Sequence, residues 1–433
     1  MGAAVGAVLG AATGNAGAGA AWGAGTGMMI GGAGAGNYGA ASSYTLQRQY
    51  DIAYISNPLQ DALSRKPRAP ALGRVRVYAN VRRATVLRQT KLIWRAAFAR
   101  TTPGVAMNAT RRLMVMAAGS AVLAGCATPI GDAADWQQFS AGDGTRVSYR
   151  RWLPAGTPKT VLQVVHGAAE HSSRYDRFAK LAVASGYAVY AIDHRGHGRT
   201  RLRSGKTGDA GPDAWNRMVE DEIAFSQRLR TAHPGAKLVL FGHSLGSFMA
   251  QDYIERRADL LDGLILSGTS YRPPPPAALI DALNEAVQKD ALGDSAVWAG
   301  LFRDFNKPFN GTTGFEWLSR DADEVKKYTT DPLSGFAFTN ELARDIFVGF
   351  ARMRDPALEA RIPKTLPVLV IQGELDPVGE NLVGTRRLVE RYNALGLTRI
   401  ETHYYPGARH EVLNETNRDE VQRDVLAWLA KTM

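Results

Sequence analysis

The chain has 433 residues, 45% of them hydrophobic and 21% charged, which is apolar material enough for a full-sized core. Its net charge is +11, yet residues 57–106 hold eleven basic residues against the single acid Asp61, and residues 107–433 hold 40 basic and 39 acidic residues. The excess is confined to one short segment, so the remainder gives no ground for a nucleic-acid partner and none is expected. The single cysteine, Cys126, excludes disulfides within the chain.

Residues 1–56 are Gly/Ala-rich. Gly2, Gly6, Gly10 and Gly14, then Gly19, Gly23, Gly27 and Gly31, recur every four residues. Such spacing lets helices approach closely in a membrane, and the paired blocks resemble a glycine-zipper hairpin of envelope lipoproteins. A low-complexity Gly/Ala linker reads equally well. The basic segment 57–106 has no clear periodicity and is expected to be unstructured.

Residues 107–126 run from a basic stretch at Arg111 and Arg112 through a short apolar run to small residues, the layout of a secretory signal. Leu123-Ala124-Gly125-Cys126 resembles the lipobox of bacterial lipoproteins, which implies a lipidated Cys126 as the mature N-terminus and membrane anchoring through it. The apolar run is short for a membrane span. The other reading is a buried free cysteine after a hydrophobic helix. A signal so far into a chain implies that translation starts at Met107, with 1–106 a neighbouring reading-frame remnant or a fused envelope segment. Ala127 resembles outer-membrane sorting, so the expected location is the bacterial cell envelope, lipid-anchored, at the outer membrane.

From residue 136 to 432 strand-like and helical segments alternate. Val147–Trp152, Val161–Val165, Ala188–Ile192, Leu238–Phe241, Leu264–Leu266, Val368–Ile371 and Ile400–Tyr405 read as strands of an α/β, doubly wound, mostly parallel sheet. After the second comes His166-Gly167-Ala168, and after the third comes Asp193-His194-Arg195-Gly196-His197-Gly198. The histidines of the latter lack partners at metal spacing, so it reads as a turn and no metal is expected.

Gly242-His243-Ser244-Leu245-Gly246 follows the strand Leu238–Phe241, and a helical stripe of Leu245, Phe248, Met249 and Tyr253 follows it. G-x-S-x-G between a strand and a helix is a nucleophile elbow, which lifts the serine hydroxyl above the sheet. A serine needs a base, an acid to orient the base, and an oxyanion hole. Strand Val368–Ile371 leads into Gly373-Glu374-Leu375-Asp376, where Asp376 competes with Glu374 as the acid and its strand-end position favours Asp376. His410, in the loop after the last strand, is the candidate base. His403 alternates within that strand and reads as a packed or exposed sheet residue. The N–H groups of Leu245 and Ala168 are the candidate oxyanion donors, and His166 reads as a loop brace. The closing helix places Val421, Val425, Trp428 and Leu429 on one face.

The alternation stops between Gly268 and Pro363, where Pro273 to Pro276 open a mainly helical insert, a cap at about 269–363. It holds eight of the fourteen phenylalanines. Most are expected in the cap's own core, and some should face the sheet and favour an acyl chain or other apolar substrate.

His166-Gly167-Ala168-Ala169-Glu170-His171-Ser172-Ser173-Arg174-Tyr175 resembles the H-G-x-x-E-H-S-x-R-Y signature of the monoacylglycerol lipase and lysophospholipase family of α/β-hydrolases. The D-H-R-G-H-G turn, the G-H-S-L-G elbow, Gly373 to Asp376 and His410-Glu411 match in order. Carried over residue by residue, the resemblance implies the α/β-hydrolase fold, a triad of Ser244, Asp376 and His410, and oxyanion donors at Ala168 and Leu245. Ser247 departs from the pattern, since many relatives carry a second glycine there. The implied activity is cleavage of carboxylic esters of monoacylglycerol or lysophospholipid type through an acyl-enzyme, without metal or organic cofactor. A peptidase or thioesterase on the same triad, and a catalytically silent lipoprotein used for binding, are the alternatives.

Overall fold

The computed structural model describes residues 136–200 and 205–433; Cys126 and the three segments N-terminal to the hydrolase region lie outside them. Eight strands form one sheet: β1 (Trp136–Ser140), β2 (Arg146–Trp152), β3 (Thr160–Val165), β4 (Ala188–Ile192), β5 (Lys237–His243), β6 (Gly263–Ser267), β7 (Val368–Gly373) and β8 (Ile400–Tyr405). Their order across the sheet is β1-β2-β4-β3-β5-β6-β7-β8. β1 and β2 are antiparallel to their neighbours, and every pair from β4 to β8 is parallel.

Parallel strands need crossovers, and the crossovers cover both faces, so these strands read as continuous apolar runs. Consecutive residues serve opposite cores. Leu238, Leu240, Leu264, Leu266, Val368 and Val370 point into one core; Val239, Phe241, Ile265, Leu369 and Ile371 point into the other. Helices α1 (Asp176–Ala184), α2 (Ala214–Ala232) and α3 (Leu245–Arg257) follow β3, β4 and β5. The first core takes in α2 and α3, through residues such as Trp215, Met218, Met249 and Tyr253. The second takes in Phe178 and Ala182 of α1.

Between β6 and β7 lie α4 (Ala277–Lys289), α5 (Ala296–Asn306), α6 (Ala322–Thr330), α7 (Asn340–Arg352) and the short α8 (Pro356–Glu359). Side chains of Ser295, Asp321 and Thr339 accept backbone N–H groups at the starts of α5, α6 and α7. α9 (Val383–Ala394) follows β7, and α10 (Arg418–Thr432) closes the chain with Val421, Val425, Trp428 and Leu429 buried in the second core.

The sequence reading missed β1. Its segment, WQQFS, buries only Phe139, so an antiparallel edge strand leaves almost no apolar run to find.

Candidate active site

β3 is where the winding reverses, because β4 lies on one side of it and β5 on the other. A crevice forms there beyond the carboxyl ends of the strands. The exits of β3, β5, β7 and β8 supply Ala168, Ser244, Asp376 and His410 in turn.

Ser244 stands between β5 and α3 with φ 53° and ψ −122°, a conformation that side chains rarely adopt. Its N–H donates to Ser267 O at 2.9 Å. The elbow closes this tightly only without side chains at its flanks. A Cβ on Gly242 would meet Gly246 O at 2.5 Å, and one on Gly246 would land on the carbonyl oxygens of Val165 and His166.

His410 Nδ1 lies 2.9 Å from Asp376 Oδ2, and both side chains are buried. Val378 N–H donates to Asp376 Oδ1 at 2.8 Å, and the Gln372 amide donates to Oδ2. Gln372 is oriented in turn by Thr269 N–H at 2.9 Å. The competing carboxylate, Glu374, is exposed and accepts from Gly407 N–H at 2.9 Å. His410 Nε2 is buried with no hydrogen-bond partner, and it shares a small cavity with Ser244, Ala168 and Gly167. A base whose distal nitrogen is free and faces the nucleophile's cavity is poised to take a proton.

Leu245 is the first residue of α3, where an N–H has no partner within the helix. Ala168 lies in the loop after β3. Its N–H has no acceptor among the described residues, whereas the N–H groups on either side are taken. Gly167 N–H donates to Glu170 Oε1 at 2.5 Å, and Ala169 N–H donates to His197 Nε2 at 3.3 Å.

The long motif after β3 is a set of braces for this loop. Glu170 also accepts from the Tyr175 hydroxyl at 2.9 Å and from Arg174 at 2.7 Å. Arg174 continues to Glu411, beside His410, with bonds of 2.6 and 2.8 Å. His171 Nε2 meets Asp331 Oδ2 of the cap at 2.8 Å, and Ser172 donates through N–H and hydroxyl to Asp193 Oδ1 at 2.9 and 2.6 Å. The rings of His166, His194 and His197 cluster at tilted and edge-on angles with centroids 3.8–5.9 Å apart, and burial holds the pKa of all three below the ordinary histidine value. His194 N–H donates to His166 Nε2 at 3.1 Å, so these rings are neutral braces. Among the described residues no group of three or more His, Cys, Asp or Glu side chains is arranged to hold a metal ion.

His243, inside the elbow, is buried with Nδ1 3.1 Å from Ser267 Oγ, and burial pushes its pKa down to about 4. The neighbouring His410 ring, 4.7 Å away, therefore faces a neutral partner at neutral pH. His403 sits half-buried on β8 between Glu401 and Asp424, remote from this set.

The cap grips both working loops. The Trp317 ring packs 4.8 Å from that of His410, and His410 and Glu411 N–H groups donate to Trp317 O and Leu318 O at 3.3 and 2.8 Å. On the other side, the Tyr328 hydroxyl and Gly335 N–H both donate to Ala169 O, at 3.1 and 2.8 Å. Phe302, Phe305, Phe347 and Phe350, with Trp298 and Trp317, line a pocket that reaches Ser244, with a cavity volume of about 90 Å³. Phe338 instead packs inward, stacked on Trp298 at 4.5 Å.

The model of the family described as serine aminopeptidase, S33, matches residues 156–417. The chain belongs to that family. It is a serine hydrolase with the α/β-hydrolase fold, as its relatives and structural neighbours bear out. It is 28% identical over 291 residues to a monoacylglycerol lipase of Mycolicibacterium smegmatis, covering 67% of this chain and 95% of that one. It is 26% identical to the human monoglyceride lipase, covering 67% of this chain and 88% of the relative. A thermostable carboxyl esterase from Bacillus coagulans aligns with a TM-score of 0.63 at 28% identity, over 69% of this chain and 98% of the esterase. A lipase solved in an open form aligns with a TM-score of 0.62 at 29% identity, over 69% and 99% of the two chains.

Proposed function

We propose that this serine hydrolase cleaves carboxylic esters of monoacylglycerol or lysophospholipid type. The observation that carries the reading is the aromatic pocket leading to Ser244, which has no carboxylate among its lining residues. An acyl chain gains by burial there, at roughly 0.8 kcal/mol per methylene. An aminopeptidase has to hold a cationic amino terminus, and this lining offers it arginines instead. The relatives named for monoacylglycerol lipase activity support the same choice.

In this reading Ser244 Oγ attacks the ester carbonyl while His410 Nε2 takes its proton. Asp376 keeps the proton on Nδ1 and stabilises the imidazolium that forms. The negative charge on the former carbonyl oxygen is received by the N–H groups of Ala168 and Leu245. Removing one such donor costs about 3–4 kcal/mol in other hydrolases. His410 then protonates the leaving alcohol, and water releases the acyl group from Ser244 by the same path.

The test is hydrolysis of p-nitrophenyl esters and monoacylglycerols of graded chain length by the full chain, beside Ser244→Ala. Activity that rises with acyl length and vanishes in the variant is expected. Faster turnover of aminoacyl anilides than of every ester would overturn the ester reading in favour of a peptidase.

We also infer that the protein is carried as a lipoprotein of the bacterial envelope, anchored through Cys126 at the outer membrane. The sequence Leu123-Ala124-Gly125-Cys126-Ala127 supports this. Among the described residues no helix is long and apolar enough to cross a membrane. Incorporation of a labelled fatty acid by the wild type and not by Cys126→Ala is the expected result.

A further inference from the structure

The otherwise apolar pocket at Ser244 contains two guanidinium groups. Arg272 follows β6, and Arg354 follows α7; both line the same cavity as Ser244 and the aromatic side chains. Neither was singled out by any motif.

Their partners leave them electrostatically under-compensated. Arg354 donates to three oxygens, all neutral: Arg272 O at 2.9 Å, Met353 O at 3.1 Å and Gln251 Oε1 at 3.2 Å. It lies over the Tyr271 ring at 4.1 Å. Arg272 donates to Val378 O at 3.0 Å, and its nearest carboxylate, Glu380 Oε1, stands 3.6 Å from Nε. Glu380 also faces Arg387 at 3.8 Å, so one carboxylate serves two arginines at longer than ideal distance. Glu359 is committed to Arg391. Burial pushes the Glu255 carboxyl up to about 9, so it is neutral and compensates nothing at neutral pH. Burial also lowers the pKa of both pocket arginines, and at Arg272 it outweighs the Glu380 and Asp376 carboxylates together. A guanidinium remains charged even so, and it favours planar anions such as carboxylate and phosphate.

The separation from the nucleophile suits one ligand reaching both places. Gln251, which Arg354 grips, lies seven residues beyond Ser244 along α3, roughly 10 Å at about 1.5 Å per residue. Arg272 touches Val378, whose N–H holds Asp376, so it lies beside the acid loop.

We propose that Arg272 and Arg354 form a subsite for an anionic group, a phosphate or a carboxylate, carried by the same acyl ester whose carbonyl meets Ser244. This rests on the ester-hydrolase reading and narrows it to acidic esters. The anion arrives from one of two sources. It is a phosphate on the alcohol side, as in a 1-acyl-glycerol-3-phosphate, or a carboxylate at the far end of the acyl chain, as in a dicarboxylic acid monoester.

The experiment has a kinetic and a binding part, both on the full chain. The kinetic part compares kcat/KM for a neutral 1-monoacylglycerol, the matching 1-acyl-glycerol-3-phosphate, and the glycerol monoester of a dicarboxylic acid of the same length. The wild type is expected to prefer one acidic ester over the neutral one by at least about tenfold. Arg354→Gln and Arg272→Gln should collapse that ratio through KM, with Arg354→Lys restoring part of it. Whichever acidic ester carries the preference identifies the source. A variant that merely misfolds lowers all three rates together; an intact ratio in glutamine variants that keep the wild-type rate on the neutral monoacylglycerol overturns the proposal.

The binding part uses Ser244→Ala and three non-hydrolysable probes: dodecyl phosphate, dodecanoate and 1-O-dodecylglycerol. Tighter binding of either anion by at least about tenfold, lost on adding Arg354→Gln, supports the subsite even if no ester is turned over. Equal binding of all three overturns it, whatever the fate of the ester reading.

Discussion

Arg174 and Glu411 face each other fork to fork, with Nη1–Oε1 at 2.6 Å and Nη2–Oε2 at 2.8 Å, across 237 residues of sequence. One end of this pair belongs to the loop that presents Ala168, and the other adjoins His410. The loop of Ala168 and the loop of His410 are thereby fixed to each other through a buried ion pair, independently of the sheet. Arg174→Gln should cost about 3–5 kcal/mol, the usual penalty for stranding a buried charge. Chemical denaturation measures the loss, and kcat should fall with it because both loops loosen.

The same pair has an acid signature. Burial opposes ionisation of Glu411, but the Arg174 charge outweighs it and holds the carboxyl at about 2 against an ordinary 4.5. A depressed carboxyl contributes stability that is present above its unfolded value and is lost as pH falls toward the folded one. The stability gap between wild type and Arg174→Gln should therefore narrow as pH falls from about 4.5 to about 2. A gap that stays constant across that range would count against the ion pair as its source.

Glu255 predicts the opposite slope. Burial raises its carboxyl from 4.5 to about 9, so on raising the pH the unfolded chain loses this proton well before the folded one does. Folding stability is drained over that interval. Glu255→Gln removes the drain. Its stability relative to wild type should improve steadily between pH 5 and 8, read by urea midpoints at each pH.

Asp376→Asn should leave the fold intact and lower kcat by about 10⁴-fold, because the amide no longer fixes the proton on His410 Nδ1. An active-site serine probe should label the variant slowly while thermal denaturation stays near that of wild type.

Gly246→Ala tests the elbow. The new methyl would strike the carbonyl oxygens of Val165 and His166, which are backbone and cannot turn aside. Overpacking of this kind costs about 1–3 kcal/mol, and activity should fall further than stability because Ser244 is displaced. Comparing active-site titration with the folded fraction separates the two.

Much of this arrangement was legible because a parallel sheet gathers its strand exits at one edge. Ser244 announces itself by two glycines whose Cβ atoms have nowhere to go, and strand β7 by a run buried on both faces. Glu374 and Asp376 stayed in competition because both follow β7 within three residues. Only the turn, with Asp376 held by Val378 N–H and Glu374 left at the surface, separates them. Links such as Arg174–Glu411 and His171–Asp331 join residues too far apart for any local pattern. Arg272 and Arg354 carried no signal, since a polar residue in a cap looks like surface until the cavity behind it is seen.

Ala169 O receives two bonds from the insert, one from the Tyr328 hydroxyl and one from Gly335 N–H. Ala169 itself is held at φ 50°, next to Ala168, the proposed oxyanion donor. Exchange of this insert between hydrolases is therefore not like changing a lid on a jar. A graft that supplies new aromatic walls but omits those two donors inherits the pocket without the alignment. Its chemistry should fail before its specificity changes. Chimeras designed around this fold have to treat residues 328 and 335 as belonging to the core enzyme, although the sequence places them in the insert.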